Sequence, residues 1–414
     1  MSEKKSASSI FRKLGPGLIT GASDDDPSGI ATYSQAGARF GISLLWTALI
    51  TYPLMFALQE MCARIGIINC NGLAGVLRTY YPRILGYLLL ILVVPAIVIN
   101  IAADLAGMAA VAHLLFPFIS PLMYSFIFAL AIVFFLIFFS YNQVTVVLKY
   151  CCLSLICYLI VPFLVEQNWK ENIFATFTPT IKWNKEWISM LVAILGTTIS
   201  PYLFYWQASM SCEHINHNDN SIHKEIKEMR LDVNIGMFLS NLVMYFVILT
   251  TGTVLFGQGS SEIKTVEDAA EALKPLAGEF AYIIFSIGIL GLGFLSIPIL
   301  AGCIGYIFSE TFNWKKGLDK KLFEAKSFYI VIILSVLLGV LLNVFGIDPI
   351  KSLIVTAIIY GMITPFVIMI ILHICNSKKI MGNHVNSLLM NILGIICMII
   401  TSLAAIALII TLFV

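Results

Sequence analysis

The stretch "ASDDDPSGIATYSQAGA", Ala22 to Ala38, sets three aspartates, a proline and two glycines inside a segment that is otherwise apolar. Asp26-Pro27 has the chemistry of a helix restart, because an aspartate oxygen can cap free amides and a proline at the first helical position has no N–H to leave unpaired. Capping accounts for one carboxylate, not three. Each ionised carboxylate near a bilayer centre costs a few kcal/mol unless it meets water or a cation. Some of the run is therefore expected to face an aqueous vestibule. Unwinding also frees backbone carbonyls, and carbonyl plus carboxylate oxygens are the ligands that hard divalent cations prefer. The stretch is expected to coordinate a cation.

A second stretch, "GTTISPYLFYWQAS" from Gly196 to Ser209, has a similar character. It offers the carbonyls and hydroxyls of Thr197 and Thr198 and the Ser200 hydroxyl, all oxygen donors. Beyond it, Tyr202, Tyr205 and Gln207 either line a pathway or serve as interfacial anchors and packing residues. A simpler alternative for both stretches is that Pro27 and Pro201 only kink ordinary helices. Kinking leaves the aspartates unexplained.

The elements that must position these residues follow from composition. Of 414 residues, 59% are hydrophobic and 12% charged, so the chain is a polytopic membrane protein with no room for a soluble domain. A formal charge of +2 is too small to suggest nucleic-acid binding, and none is expected. Eleven apolar spans are expected, over 15–38, 42–66, 84–115, 119–140, 145–165, 188–212, 233–256, 279–308, 328–346, 349–375 and 385–413. All are expected to be helices, since lipid offers no partner to free backbone groups. Most of the 25 Lys and Arg fall in loops on the side of the N-terminus, "NWKKGLDKKLFEAK" among them, which places the N-terminus in the cytoplasm and the C-terminus outside. That lysine-rich loop reads as a topology determinant and anionic-lipid contact. The nine cysteines show no zinc-type pairing and read as small buried hydrophobes.

The two interrupted spans are the first and the sixth. Corresponding breaks in two five-helix halves point to an inverted repeat with a substrate site between the broken helices. The expected division is a tail over 1–13, repeats over 14–166 and 187–375, and an eleventh helix over 384–414. An intramembrane aspartyl protease would also need buried carboxylates, but its GxGD motif is absent. No enzyme, no resident cofactor and no obligate protein partner is expected, only a small substrate and the bilayer.

"GPGLITGASDDDPSGIATYSQAGARFG", "LQEMCARIG" and "GTTISPYLFYWQAS" resemble the first, second and sixth helices of the NRAMP family of divalent-metal transporters, and the register extends into "NIAADLAGMAAVAHLLF" and "ITPFVIMIIL". The resemblance covers most of the chain. It implies an all-α, LeuT-like inverted repeat of five plus five helices with discontinuous helices 1 and 6 and an additional helix 11. Metal would bind where helices 1 and 6 unwind. Conventional members carry a DPGN motif; here the quartet is Asp26, Pro27, Ser28 and Gly29, so the asparagine ligand is glycine. Their helix 6 has methionine before proline and histidine after it, positions held here by Ser200 and Tyr202, and the carbonyl ligand falls on Thr197. The implied metal ligands are thus Asp26, Gly29, Ser23, Thr197, Thr198 and Ser200, with Asp24, Asp25, Tyr202, Gln207 and Asp104 along the pathway.

Further departures concern protons. A glutamate expected one turn after Asp104 is Gly107, and "FYIVIILSVLLGVLLNVFG" lacks the arginines of helix 9. Asp104 is open to two readings, a functional carboxylate or a hydrogen-bond partner of Asn100 or of a neighbouring helix. Loss of the thioether removes the bias towards soft metals. Together the departures resemble the Nramp-related magnesium transporter branch. They imply uptake of Mg2+, with Mn2+, through a prokaryotic inner membrane without obligatory proton coupling. A proton-coupled Mn2+/Fe2+ importer is the alternative.

Overall fold

A computed structural model describes residues 15–139, 141–164, 167–213, 222–256, 281–346 and 348–413. The expected tail over 1–13 lies outside the described residues. Among the described residues every regular element is helical. The first half contains α1 (Pro16–Asp24), α2 (Pro27–Phe40), α3 (Trp46–Asn69), α4 (Leu73–Tyr80), α5 (Arg83–Leu115), α6 (Pro121–Phe138), α7 (Tyr141–Cys151) and α8 (Leu155–Ile160). After α9 (Trp169–Phe177), the second half runs through α10 (Lys185–Thr198), α11 (Pro201–Glu213), α12 (Ile222–Val254), α13 (Ala281–Phe312), α14 (Lys326–Val344) and α15 (Pro349–Asn376). The short α16 (Lys378–Met381) leads into α17 (Leu388–Phe413).

Eight of the described helical spans are long and apolar enough to cross a membrane, and the pair over 27–44 and 46–69, bent by 108°, would make a ninth. The third, fourth and sixth to eleventh expected spans are among the eight. The other three depart from simple spans for separate reasons. The first is divided into α1 and α2. The second, α3, buries Gln59, Glu60 and Arg64 among its apolar residues. The fifth is cut into α7 and α8, with 3-10 turns over Cys152–Ser154 and Val161–Leu164. The seventh starts at Ile222, ahead of the expected 233, because "IHKEIKEMRLD" continues the helix on polar residues. A hydropathy count sees only the apolar length of such a helix.

The two interruptions have the same construction. α1 ends at Asp24 and α2 begins at Pro27; α10 ends at Thr198 and α11 begins at Pro201. Two residues separate the half-helices in each case, and a proline opens the second. The packing is reciprocal: α1 and α2 lie on α12, while α11 lies on α3. Against α12, α1 approaches backbone to backbone, since a Cβ at Gly21 would come within 2.3 Å of Gly236. At the open end of α1, Asp232 of α12 accepts from the amides of Gly15 (2.8 Å), Gly17 (2.7 Å) and Leu18 (3.2 Å). These amides have no partner inside their own helix, so a carboxylate from the neighbouring helix supplies the cap.

Candidate metal site

The site is built where the two interruptions meet. Asp26 occupies the N-cap of α2 in an extended conformation, and its Oδ1 accepts from the Gly29 amide at 2.8 Å. Its Oδ2 accepts from Nδ2 of Asn100 on α5 at 2.8 Å. One carboxylate thereby caps a half-helix and ties it to α5. Across the site, the hydroxyls of Ser28 and Thr197 are 3.5 Å apart, and the Tyr33 hydroxyl lies 3.1 Å from that of Thr198. The Tyr202 hydroxyl crosses in the other direction and donates to the Ser23 carbonyl at 2.9 Å.

Gly29 lets the two interruptions pack closely at the centre of this junction. A Cβ there would sit 3.0 Å from the Asp24 carbonyl oxygen and 3.5 Å from Oγ1 of Thr197, so the position faces both interruptions at once. In the sixth-span break, the Ser200 hydroxyl donates to the Thr197 carbonyl at 2.6 Å, with the Gly196 carbonyl at 3.0 Å. Thr364 of α15 donates to the freed carbonyl of Ile199 at 3.0 Å. Two sulfurs stand behind the oxygens: Met244 Sδ accepts from the Thr198 hydroxyl at 3.6 Å, and Cys303 Sγ donates to the Tyr202 carbonyl at 3.2 Å.

The aspartate run does not face a vestibule. Asp24, Asp25 and Asp26 are all buried, which corrects the expectation that some would be water-exposed. The cause is the packing of α12 over the first interruption, where Ser240 donates to Oδ2 of Asp24 at 3.0 Å. Nor do the carboxylates form one cage: Asp24 is bonded towards α12 and Asp26 towards α5. Among the described residues, no three His, Cys, Asp or Glu side chains converge in the manner of a metal centre. What remains near the break are buried oxygens without a hydrogen-bond partner among the described residues, namely Asp24 Oδ1, both oxygens of Asp25 and Asn100 Oδ1. Oxygens of this kind are costly to bury unless a cation or proton reaches them.

Asp104 is bonded to a neighbouring helix, accepting from Ser296 of α13 at 2.9 Å, while Asn100 bonds Asp26 instead. Asn100, Asp104 and Gly107 follow one another at helical spacing on α5, and a Cβ at Gly107 would lie 4.0 Å from that of Pro27. The Asp104 turn therefore borders the start of α2. Gln207 is not brought to the junction; its amide donates to Ser211 at 3.1 Å further along α11. Sequence reasoning missed Tyr33, Ser240, Met244 and Thr364, which join the site from α2, α12 and α15. Only Tyr33 lay within the quoted first stretch. Thr364 lay within the quoted "ITPFVIMIIL", directly before Pro365, whereas Ser240 and Met244 sit in an apolar helix with no local signal.

A family model described as natural resistance-associated macrophage protein-like, Nramp, matches residues 17–411. A protein of Caldanaerobacter subterraneus subsp. tengcongensis named divalent metal cation transporter MntH is 25% identical over 395 residues, 94% of this chain and 90% of the relative. Among solved structures, the Eremococcus coleocola manganese transporter superposes with a TM-score of 0.75 at 19% identity, covering 99% of this chain and 88% of that one. The nucleobase-cation-symport-1 family transporter Mhp1 superposes at 0.62 with 12% identity, covering 96% and 92%. These likenesses establish a LeuT-like fold, the inverted repeat of five plus five helices with an eleventh.

Proposed function

The chain belongs to the Nramp family, and from that premise we propose that it is a secondary transporter that takes up divalent metal ions by alternating access at the junction of the two interrupted helices. The family is one of membrane metal-ion transporters, not of enzymes. The observation that carries the reading is the meeting of two similarly built breaks, with Asp26 and Gly29 on one side and Thr197 and Thr198 on the other. Metal is the cargo. Asp26, the Thr197 carbonyl and neighbouring oxygens of Ser23, Thr198 and Ser200 supply the donors, and Asp24, Asp25, Asp104, Tyr202 and Gln207 flank the route.

The proposed preferred cargo is Mg2+, with Mn2+ also carried. Oxygen donors favour hard ions, and Mg2+ gives up its waters reluctantly, so small residues at Gly29 and Ser200, which take up less of the site than asparagine and methionine would, suit an ion that retains part of its shell. The sulfurs of Met244 and Cys303 are engaged with a hydroxyl and a carbonyl. A specific observation favours a second reading, a Mn2+ importer: the structurally similar Eremococcus coleocola protein is called a manganese transporter. Flux of Mg2+, Mn2+ and Ca2+ into proteoliposomes at a clamped potential separates the two. Saturable Mg2+ entry is the expected result, and Mn2+ entry with Mg2+ excluded would establish the alternative. The same reading sets the N-terminus in the cytoplasm and the C-terminus outside a prokaryotic inner membrane.

A further inference from the structure

A cavity of about 540 Å³ lies far from the metal junction, between α4, the start of α5 and the end of α13. Arg78, Thr79, Arg83, Gly86, Tyr87 and Phe312 line it. Among the described residues, neither arginine has a carboxylate within ion-pair distance. The nearby Glu310 is already occupied, by Lys316 Nζ at 2.6 Å and by the amides of Gly72 and Gly75. Two arginines thus line one pocket with no carboxylate among the described residues paired to them, a donor set suited to a phosphate.

The surroundings identify the kind of phosphate. Ile84, Leu88 and Ile91 are 75%, 52% and 67% exposed and follow one another at helical spacing, so an apolar stripe runs from the pocket up the outer face of α5. Tyr87, Phe312 and Trp314 form a stacked wall beside it, with ring centroids 5.9 Å and 5.2 Å apart. Amphipathic aromatics of this type sit at headgroup depth. A soluble phosphate would use the arginines and leave the stripe bare. A lipid would use both.

We propose that this cavity is a binding site for the phosphate headgroup of an anionic phospholipid, its acyl chains lying along Ile84, Leu88 and Ile91. In the proposed orientation the lipid belongs to the cytoplasmic leaflet. The site is separate from metal binding, so failure of either reading leaves the other standing. The test is native mass spectrometry of the full chain released from bilayers of matched phosphatidylglycerol and phosphatidylcholine. Wild type is expected to retain phosphatidylglycerol about tenfold better, equivalent to ~1.4 kcal/mol. Arg78→Gln/Arg83→Gln should remove the preference. Gly86→Phe keeps both charges but fills the pocket, since nothing lies within 4 Å of a Cβ there, and should displace the lipid as well. Equal retention of the two lipids by wild type overturns the proposal even if the variants fail to fold. An unchanged preference in both folded variants overturns it too, as does displacement of the lipid by millimolar glycerol 3-phosphate, which would make a soluble phosphate the ligand.

Discussion

Asp26 combines a structural task with a chemical one, and a single substitution separates them. Asparagine caps helices about as well as aspartate, so Asp26→Asn keeps an acceptor for the Gly29 amide while removing the charge. We expect a folded, membrane-inserted protein whose metal uptake is abolished or falls to a small residue, measured by flux into proteoliposomes beside a thermal-stability check. Near-normal Mg2+ uptake would remove Asp26 from the site. Ser200→Met addresses selectivity: it takes away the hydroxyl that donates to the Thr197 carbonyl and adds a thioether at the junction. The Mn2+ or Cd2+ preference over Mg2+ should rise by roughly tenfold, about 1.4 kcal/mol. Adding Gly29→Asn should strengthen the shift, at some cost in packing, since a Cβ there already stands 3.0 Å from the Asp24 carbonyl. An unchanged metal ratio in the folded double variant counts against the assignment of these positions.

At the scale of elements, the bond from Tyr202 to Ser23 is a direct tie between the two interrupted helices. Tyr202→Phe leaves a buried carbonyl without that donor, at about 1–3 kcal/mol. The expected outcome is a lowered unfolding midpoint together with slowed metal flux; loss of neither would mean that the tie is incidental. Backbone contact between α1 and α12 has a sharper steric requirement. Gly21→Leu should prevent assembly, read as loss of the monodisperse protein, whereas Gly86→Ala, with open space around it, should assemble normally. The elements themselves were largely legible. Asp-Pro marked the restart at Pro27, because capping chemistry is local and leaves a trace in adjacent residues; at Pro201 the mark is the proline itself, since the Ser200 hydroxyl donates back to the carbonyls of Gly196 and Thr197. Partnerships such as Asn100 with Asp26 or Ser240 with Asp24 join residues far apart in the chain, and neither periodicity nor composition records them. Burial of the aspartate run was misjudged for the same reason: the covering helix, α12, lies across a sequence separation that local reasoning does not bridge.

For the whole molecule, the driving force follows from charge. An inside-negative potential of 100 mV favours entry of a dication by about 4.6 kcal/mol, twice the roughly 2.3 kcal/mol per elementary charge. That supports accumulation on the order of a thousandfold with no proton moved, at about 1.4 kcal/mol per decade. Asp104 is held by Ser296 and has Gly107 one turn on, so no second acid follows it on that face of α5. We therefore expect Mg2+ or Mn2+ to enter clamped proteoliposomes without acidifying the lumen, as reported by a trapped pH-sensitive dye. Metal-dependent, stoichiometric acidification would reverse the conclusion. Its loss in Asp104→Asn would then identify the carrier of the proton.

The cap on α1 has a mechanical consequence. Asp232 receives three amides from the tip of a nine-residue rod whose other end is set at the Asp25–Asp26 joint. Because one carboxylate answers all three, tilting the rod strains all of them. The Gly21–Gly236 contact, further along the same rod, leaves it no slack to roll in place. The tip therefore behaves as a catch: held, it anchors the lever to α12, and a swing of the lever away from α12 has to release the bonds at that end.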